Sequence, residues 1–281
     1  MAYLGIDLGG TKVNTAKIVG QSCEIIRRSL IPRDGSEEEV LAVIIASISE
    51  VIDNDVKGIG IGVPSVVDQD LGIVYDVQNI PSWKKVYLKD KLEAHFNLPV
   101  FVNNDANCFT LGELHFGLGC GLSSFIGLTI GTGIAGGIII NKRLYNGQNT
   151  GAGEFGMLPY LKENFEHYCS GHFFQKYHGV TGEKLFEAAE EDKKEALVIF
   201  EDFGKHLGNL IIQIMYTYDP GHIILGGSVS KGYPFFKKGI DLSLEHFAFQ
   251  GSISKLNLLV SNDPYIAVKG AAALCNKVEQ N

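Results

Sequence analysis

Two glycine-rich stretches carry the residue types that hold anions. DLGGTK at 7–12 and TIGTGI at 129–134 each set a turn with glycine and threonine between two apolar runs. At a hairpin tip, Gly9, Gly10, Thr11 and Lys12 can offer backbone N–H groups, a hydroxyl and an ammonium to a phosphate. Gly131, Thr132 and Gly133 repeat the arrangement without the lysine. DLGGTK fits neither GxxxxGK[ST] nor GxGxxG, and it lies between strands instead of opening a helix. One copy alone is as well explained as a tight turn, whereas two copies could clamp a polyphosphate from both sides. A third glycine pair, Gly226 and Gly227 in LGGS (225–228), lets a nucleobase and ribose approach the backbone. Together the three point to nucleotide binding.

VNNDAN (102–107) sits where a strand meets a helix. Asn and Asp are favoured N-caps, so one polar residue is expected there on structural grounds. Four within five positions exceed that need. A carboxylate at the carboxyl end of an α/β strand is also where a general base stands, and Asp105 could take the proton of a hydroxyl attacking a γ-phosphoryl group. Glu154 in GAGEFG (151–156) is either a turn residue or an acceptor for ligand hydroxyls, a role that suits a polyol and not an anion. Asn79, Pro64 and Ser65 lie in loops with the same two readings, turn or ligand contact. NFEHYCSGHFFQKYHG (164–179) brings His167, Cys169, His172 and His178 within twelve positions, a density that suggests zinc. Their spacing, HxCxxHxxxxxH, matches no standard zinc pattern.

These residues need strands and helices to hold them. The apolar runs 2–8 and 13–19 predict a hairpin around Gly9-Gly10. Val40, Ile44, Ile48, Val51 and Ile52 carry helical spacing over 37–55. KGIGIGVP (57–64) reads as a buried strand, 65–82 as a loop, 88–96 as a helix, 99–105 as a strand and 106–116 as a helix. LSSFIGLTIGTGIAGGIII (122–140) repeats the strand–turn–strand pattern of 3–19. The chain therefore reads as two duplicated α/β units joined near GLGCG (117–121). A helical stretch over about 184–217, a strand at 222–230 and a helix at 264–278 complete it.

Composition sets the outer limits. At 281 residues, 45% hydrophobic and 20% charged, the chain can fill one large core or two ordinary ones. A net charge of -8 argues against nucleic acid and anionic membrane as partners. No apolar run reaches the ~18–20 residues of a membrane span, and MAYLGIDLGG reads as a strand, not a signal peptide. Five scattered cysteines without a CxxC fit reduced thiols in a cytoplasm. A soluble cytoplasmic protein is expected.

DLGGTK, NNDAN, GLTIGTGIAGGI followed by GAGEFG, and ILGGSVS, in this order over nearly the whole chain, resemble the motifs of the bacterial ROK family of sugar kinases and sugar-sensing repressors. The resemblance implies an α/β actin/hexokinase-like ATPase fold, with two RNase H-like domains and ATP and sugar in the cleft between them. The domains would be 1–117 plus 265–281, and 118–264, the last helix returning to the first domain. Asp105 matches the family's catalytic base, Asn104 a sugar-binding neighbour and Glu154 a carboxylate on sugar hydroxyls. Asn79, Pro64 and Ser65 are further candidates for substrate contact. Asp7, Gly9, Gly10, Thr11 and Lys12 match the first phosphate motif, Asp7 also organising Mg²⁺ through water. Gly131, Thr132 and Gly133 match the second, and Gly226 and Gly227 the adenosine motif.

One region departs from the family. Met157 replaces a histidine that binds zinc and touches the sugar in the family's kinases. Aligning Gly171 with the second glycine of the family's CxCGxxGCxE segment puts Phe165, His167 and His172 at cysteine positions, and Phe174 at a sugar-reading glutamate. No structural zinc is expected. A helix-capped segment packed by Phe165, Phe173, Phe174 and Tyr177 is expected instead, a rearranged metal site using Cys169 being the alternative. The implied function is transfer of the γ-phosphoryl group of ATP, with Mg²⁺, to a hexose hydroxyl by a homodimer. The 6-OH of glucose or a related hexose is the default. A non-catalytic sugar-sensing regulator, or a sugar- or nucleotide-binding protein, is the alternative; the first strand begins at residue 2, which disfavours a preceding DNA-binding domain.

Overall fold

The opening apolar runs pair as a hairpin, β1 (Ala2–Leu8) antiparallel to β2 (Lys12–Val19), with Leu8 opposite Val13. The computed structural model describes residues 1–77, 79–148 and 150–276. Beyond the hairpin lies β3 (Ser22–Leu30), an edge strand whose mixed exposure leaves no simple apolar alternation to read in the sequence. Next comes α1 (Glu37–Ser49), started by a capping box between Ser36 and Glu39. Strand β4 (Val56–Val63) is buried along almost its whole length.

The stretch 65–82, read as loop, contains short strands. β6 (Ile73–Tyr75) pairs on one side with β5 (Val67–Asp68) and on the other with β7 (Lys85–Tyr87) in a small antiparallel sheet. Helix α2 (Leu88–Phe96), β8 (Val100–Asn104) and α3 (Asp105–Phe116) follow. The first large sheet has the order β3-β2-β1-β4-β8, with β1, β4 and β8 parallel.

Strands β9 (Phe125–Ile130), β10 (Ile134–Ile140) and β11 (Arg143–Leu144) come next, then a small hairpin of β12 (Pro159–Tyr160) and β13 (Glu163–Asn164). Four helices follow: α4 (Phe165–Cys169), α5 (Gly171–His178), α6 (Gly182–Glu190) and α7 (Lys194–Tyr218). The single helical stretch expected over 184–217 is thus two helices, parted at Asp192, whose φ is +57°. The chain continues through β14 (His222–Gly226), α8 (Tyr233–Leu244), α9 (Gln250–Ile253), β15 (Asn257–Val260) and α10 (Ile266–Ala273). The strand expected over 222–230 stops at Gly226 because Gly227 turns to φ +86°. The second large sheet has the order β11-β10-β9-β14-β15.

The chain divides into two compact units. Unit 1 comprises 1–122, 137–152 and the segment from 263 onward; unit 2 comprises 123–136 and 153–262. This differs from a single cut after 117, since 137–152 belongs with unit 1. The expected helix over 264–278 ends, as an α-helix, at Ala273, and its last two positions lie outside the described residues. Unit 1 buries Leu4, Ile6, Leu8, Ile44, Ile59 and Trp83 in one core. Helix α10 packs on β1, β4 and α3. It lies so close that a Cβ on Gly5 or Gly60 would overlap the carbonyl of Val268 or Ala271. Unit 2 is built around α7 against α8, with Phe200, Phe203, Leu207, Ile211 and Phe236 buried. No helix among the described residues is long and apolar enough to cross a membrane.

Candidate active site

In unit 1 the sheet register collects the polar residues at one edge. Asp7 of β1 pairs with Gly62 of β4, and Gly62 pairs with Asn103 of β8. Two strand spacings, about 9.6 Å, therefore separate the Asp7 and Asn103 backbones. Asp105 follows two residues after Asn103 as the first residue of α3, and a Cβ on Gly62 would lie 3.5 Å from the Asp105 Cα. Asp7 thus stands near the carboxyl end of β1 and Asp105 just beyond that of β8, with β4 between these parallel strands. Beneath them the buried Cys108 thiol is pushed well up by burial, and further by the charges of Asp105 and Asp7.

Asp7 is half-buried, and Asn14 Nδ2 donates to its Oδ2 at 3.3 Å. Burial raises its pKa against the lowering effects of that bond and of the Lys12 ammonium. The turn beyond it is tight, with Gly9 N–H donating to the Lys12 carbonyl at 2.9 Å. Asn79 lies against the same turn, for a Cβ on Gly10 would come within 2.9 Å of the Asn79 Cγ. Asn79 and the exposed Thr11 therefore belong to one surface with Gly10.

The four polar residues where β8 meets α3 divide their tasks. Asn104 is the N-cap of α3, its Oδ1 accepting from the Ala106 and Asn107 N–H groups at 2.9 and 3.3 Å. Its Nδ2 donates to the Ser65 carbonyl at 3.3 Å, so its side chain serves the fold first. Ser65, next to Pro64 at the end of β4, gives its hydroxyl hydrogen to the Tyr75 carbonyl. Asp105 Oδ1 accepts from the Ala106 N–H at 2.8 Å, and its side chain is half-buried. Asn103 and Asn107 are 2% and 1% exposed, so they act inside the protein and not on its surface.

In unit 2 the second hairpin turns at Gly131-Thr132-Gly133, where Gly131 N–H donates to the Gly133 carbonyl at 2.9 Å. The register Leu225↔Leu128 and Gly226↔Thr129 brings the third glycine pair beside it. Gly227 is in the left-handed region, and a Cβ there would overlap the Ile130 carbonyl oxygen. The two motifs are therefore in backbone contact. They open on a cavity of about 630 Å³ with Gly131 and Thr132 on one side, Ser228 and Lys231 on another, and Phe174 and Phe186 in its wall. Apolar walls with a glycine turn and a cation at the rim suit a purine nucleotide.

GAGEFG docks on the start of β10. Gly136 N–H donates to the Gly153 carbonyl at 2.8 Å, and Gly153 has φ +99° with its Cα against the Gly136 carbonyl. This holds Glu154 half-buried, and its pKa is raised by burial and then by the charge of Glu166. Glu166 has no role in the sequence reading. Its Oε2 accepts from the Ile134 N–H at 3.4 Å and occupies the space a Cβ on Gly133 would need. Two carboxylates therefore flank the second glycine turn. The signal for Glu166 was Asn164, an N-cap that starts α4 and puts Glu166 in its first turn.

The histidine-rich segment forms α4 and α5, capped by Asn164 and Ser170. Phe165, Phe173 and Phe174 are buried, whereas Tyr177 is 41% exposed and stacks on Tyr168 at 5.2 Å. Phe174 packs on Phe200 and Phe203 and lines the nucleotide-sized cavity. Glu166 is the carboxylate whose charge reaches Glu154. His167 Nε2 pairs with Glu163 at 2.8 Å, and His178 packs edge-on to Phe173. Tyr160 stacks on Phe165 at 4.1 Å and shares a hydrogen bond of 3.1 Å with His206 Nδ1. Among the described residues no three His, Cys, Asp or Glu side chains are grouped to hold a metal ion.

Residues 3–278 match the sequence profile of the ROK family. The chain belongs to the ROK family. A glucokinase of Halalkalibacterium halodurans is 30% identical over 88% of this chain and 86% of its own. A beta-glucoside kinase of Listeria monocytogenes is 28% identical over 90% of this chain and 91% of its own. Among solved structures, a ROK family glucokinase from Streptomyces griseus in complex with glucose and AMPPNP superimposes with a TM-score of 0.85. It is 26% identical, with 99% of this chain and 100% of that one covered. The mixed α/β architecture is thus the ATPase fold of ROK hexokinases and glucokinases.

Proposed function

We propose that this chain is a sugar kinase that transfers the γ-phosphoryl group of ATP to the 6-OH of glucose or a related hexose, with Asp105 as general base. The observation that carries the reading is the row Asp7–Gly62–Asn103, which delivers Asp7 and Asp105 together to the ends of parallel strands. Phosphoryl transfer needs positioning and charge stabilisation more than covalent help, and the motifs supply both. In unit 2 the cavity beside Gly131, Thr132, Gly226 and Gly227 takes the nucleotide. In unit 1 the Gly9–Lys12 turn, with Asn79 against Gly10, takes phosphate oxygens, and Asn104, with Ser65 and Pro64 beside it, borders the sugar. Glu154 and Glu166 accept hydrogen bonds from sugar hydroxyls. The glucokinase and beta-glucoside kinase names of the relatives, and the glucose and AMPPNP of the Streptomyces structure, support this assignment.

Asp7 fits a role beside Mg²⁺. Burial disfavours its charged form, so a cation held nearby through water restores the carboxylate. When bound with ATP, Mg²⁺ neutralises charge on the phosphates. The active species is taken as a cytoplasmic homodimer, a state that light scattering reads directly. The deciding experiment is an ATP/ADP-coupled assay against a panel of hexoses. Turnover of glucose or a close relative is expected; ATP binding with no turnover of any sugar would sink the reading.

A further inference from the structure

A cluster of side-chain amides lies at the start of α3, and its orientation is forced. The Asn104 backbone N–H donates to Asn103 Oδ1 at 2.8 Å, and a backbone N–H can only donate. Asn103 therefore presents its oxygen there, and Gln69 and Asn107 approach that oxygen with their NH₂ groups, at 3.1 and 3.0 Å. Asn103 Nδ2 and Asn107 Nδ2 both donate to Asn146 Oδ1, at 3.4 and 3.3 Å. Three segments of unit 1 meet in the cluster: Gln69 between β5 and β6, Asn146 after β11, and the junction of β8 with α3. The Thr150 hydroxyl, donating to the Val67 carbonyl, ties the first two segments to each other.

Stability alone does not explain this arrangement. With its NH₂ engaged twice, Asn107 keeps its Oδ1 buried and, among the described residues, without a hydrogen-bond partner. Buried polar atoms are seldom left bare, and apolar side chains of the same shape would avoid the cost. What the amides supply is direction. Packing sets how far α3 stands from the sheet, since a Cβ on Gly62 would lie 3.0 Å from Cys108 Sγ. Apolar contact is non-directional and leaves the rotation of the first turn loose, whereas hydrogen bonds fix it. Asp105 sits inside the bonded turn with a neighbour held on either side. Asn103 fixes the Asn104 N–H, and the Ala106 N–H is shared by Asn104 Oδ1 and Asp105 Oδ1. Asn107 closes the turn, its N–H on Asn104 Oδ1 and its side chain on Asn103 Oδ1.

We propose that Asn103 and Asn107 are positioning residues that, with Gln69 and Asn146, fix the rotation of the first turn of α3 and so aim the Asp105 carboxylate at the acceptor hydroxyl. The inference rests on the kinase reading, which makes Asp105 the general base. At 2% and 1% exposure the two asparagines are out of reach of substrate and act through the backbone beside Asp105. A base displaced by about 1 Å can cost ~10²-fold in rate. Asn104 keeps its own bond to the Ser65 carbonyl, so sugar affinity should depend less on the cluster than turnover does.

The test is Asn107→Asp in the full chain, which keeps the shape and replaces the doubly engaged NH₂ with a carboxyl oxygen. Ionised, that oxygen repels Asn103 Oδ1 and Asn146 Oδ1; protonated, the carboxyl can donate again. At about pH 8 kcat should fall at least ~10-fold while the KM values for sugar and ATP stay within about twofold. The ratio of variant to wild-type kcat should then climb as pH is lowered towards about 5, since burial raises the pKa of the introduced carboxyl. Asp105 titrates in both proteins and divides out of the ratio. Gln69→Glu makes the same change at a half-buried position and should show the same trend, smaller, if Asn107→Asp fails to fold. A folded variant with kcat within about twofold of wild type overturns the proposal, and so does a loss that is constant across pH, the mark of a merely structural role. The Ala106 amide gives a reading free of activity. Its hydrogen-exchange protection factor should fall in the variant at alkaline pH and recover on acidification. If no hexose is turned over, the kinase reading fails and this protection decides: unchanged protection overturns the positioning role, and acid-reversed loosening supports it.

Discussion

Glu166 Oε2 accepts a hydrogen bond from the Ile134 N–H and fills the space beside Gly133 that a side chain would take. The turn proposed to hold phosphate and the carboxylate proposed to read sugar are therefore mechanically joined. Gly133→Ala tests the joint. The new methyl meets only the end of a flexible side chain, so folding should persist with Tm nearly unchanged, while Glu166 is displaced. The expected result is a sugar KM raised by roughly tenfold, about the value of one charged hydrogen bond, read by steady-state kinetics.

Asp105→Asn keeps the shape of the α3 start and removes the base. A positioned general base contributes ~10²–10⁴ in rate, so kcat should fall at least ~10²-fold. Calorimetry should show sugar affinity largely retained. Near-normal turnover in this variant would remove Asp105 from the role.

Gly227→Ala meets rigid backbone where Gly133→Ala meets a movable side chain. Its φ of +86° and its overlap with the Ile130 carbonyl predict a stability loss of about 1–3 kcal/mol or more. Chemical denaturation reads that loss, and the ATP KM should rise because the two glycine motifs separate.

Glu154 gives a pH signature. Burial and the Glu166 charge raise its pKa in the folded chain above the ordinary carboxylate value, so the folded form binds the extra proton. Its contribution to stability is then full below the unfolded pKa and is lost as pH rises through the folded one. Glu154→Gln does not titrate. The Tm of the variant relative to wild type should therefore climb between about pH 4 and neutrality. A constant difference across that range would contradict the shift.

The α4–α5 segment should be stable without metal. Chelation with EDTA should leave Tm unchanged, and metal analysis should find no stoichiometric zinc. Phe165→Ala, which removes a ring 3% exposed and stacked on Tyr160, should destabilise by about 3–5 kcal/mol. A large Tm fall on chelation would restore the rearranged Cys169 site.

Residues that announce themselves by backbone need were legible in the sequence. The Gly9-Gly10 and Gly131–Gly133 turns follow from glycine and apolar spacing. The family match over 3–278 agrees with the motif order. Less visible were features set by tertiary partners. Strand β3 is an edge strand with weak alternation, and β5 to β7 are only two or three residues long. Asn103 and Asn107 looked like surplus polarity around a cap, and only the three-dimensional register showed them bonded to Gln69 and Asn146. Glu166 was passed over because its segment was read for zinc ligands; the cap at Asn164, which puts it in the first turn of α4, carried the signal.

The seating of α10 on β1, β4 and α3 has a consequence for how the protein is made. Gly5 and Gly60 lie against Val268 and Ala271, so β1 and the adjoining part of β4 lack this cover until α10 has been synthesised, although α3 already lies on the same face. The residues of unit 2 leave the ribosome before α10 does. Unit 2 can thus close early, while β1 and β4 wait with bare strand surface for a helix from the far end of the sequence. Such long-range closure is slow and leaves apolar surface open to aggregation. During synthesis, unit 1 is accordingly the part that depends on chaperone protection, and truncation before Ile266 should yield insoluble protein even though most of the site motifs are already present.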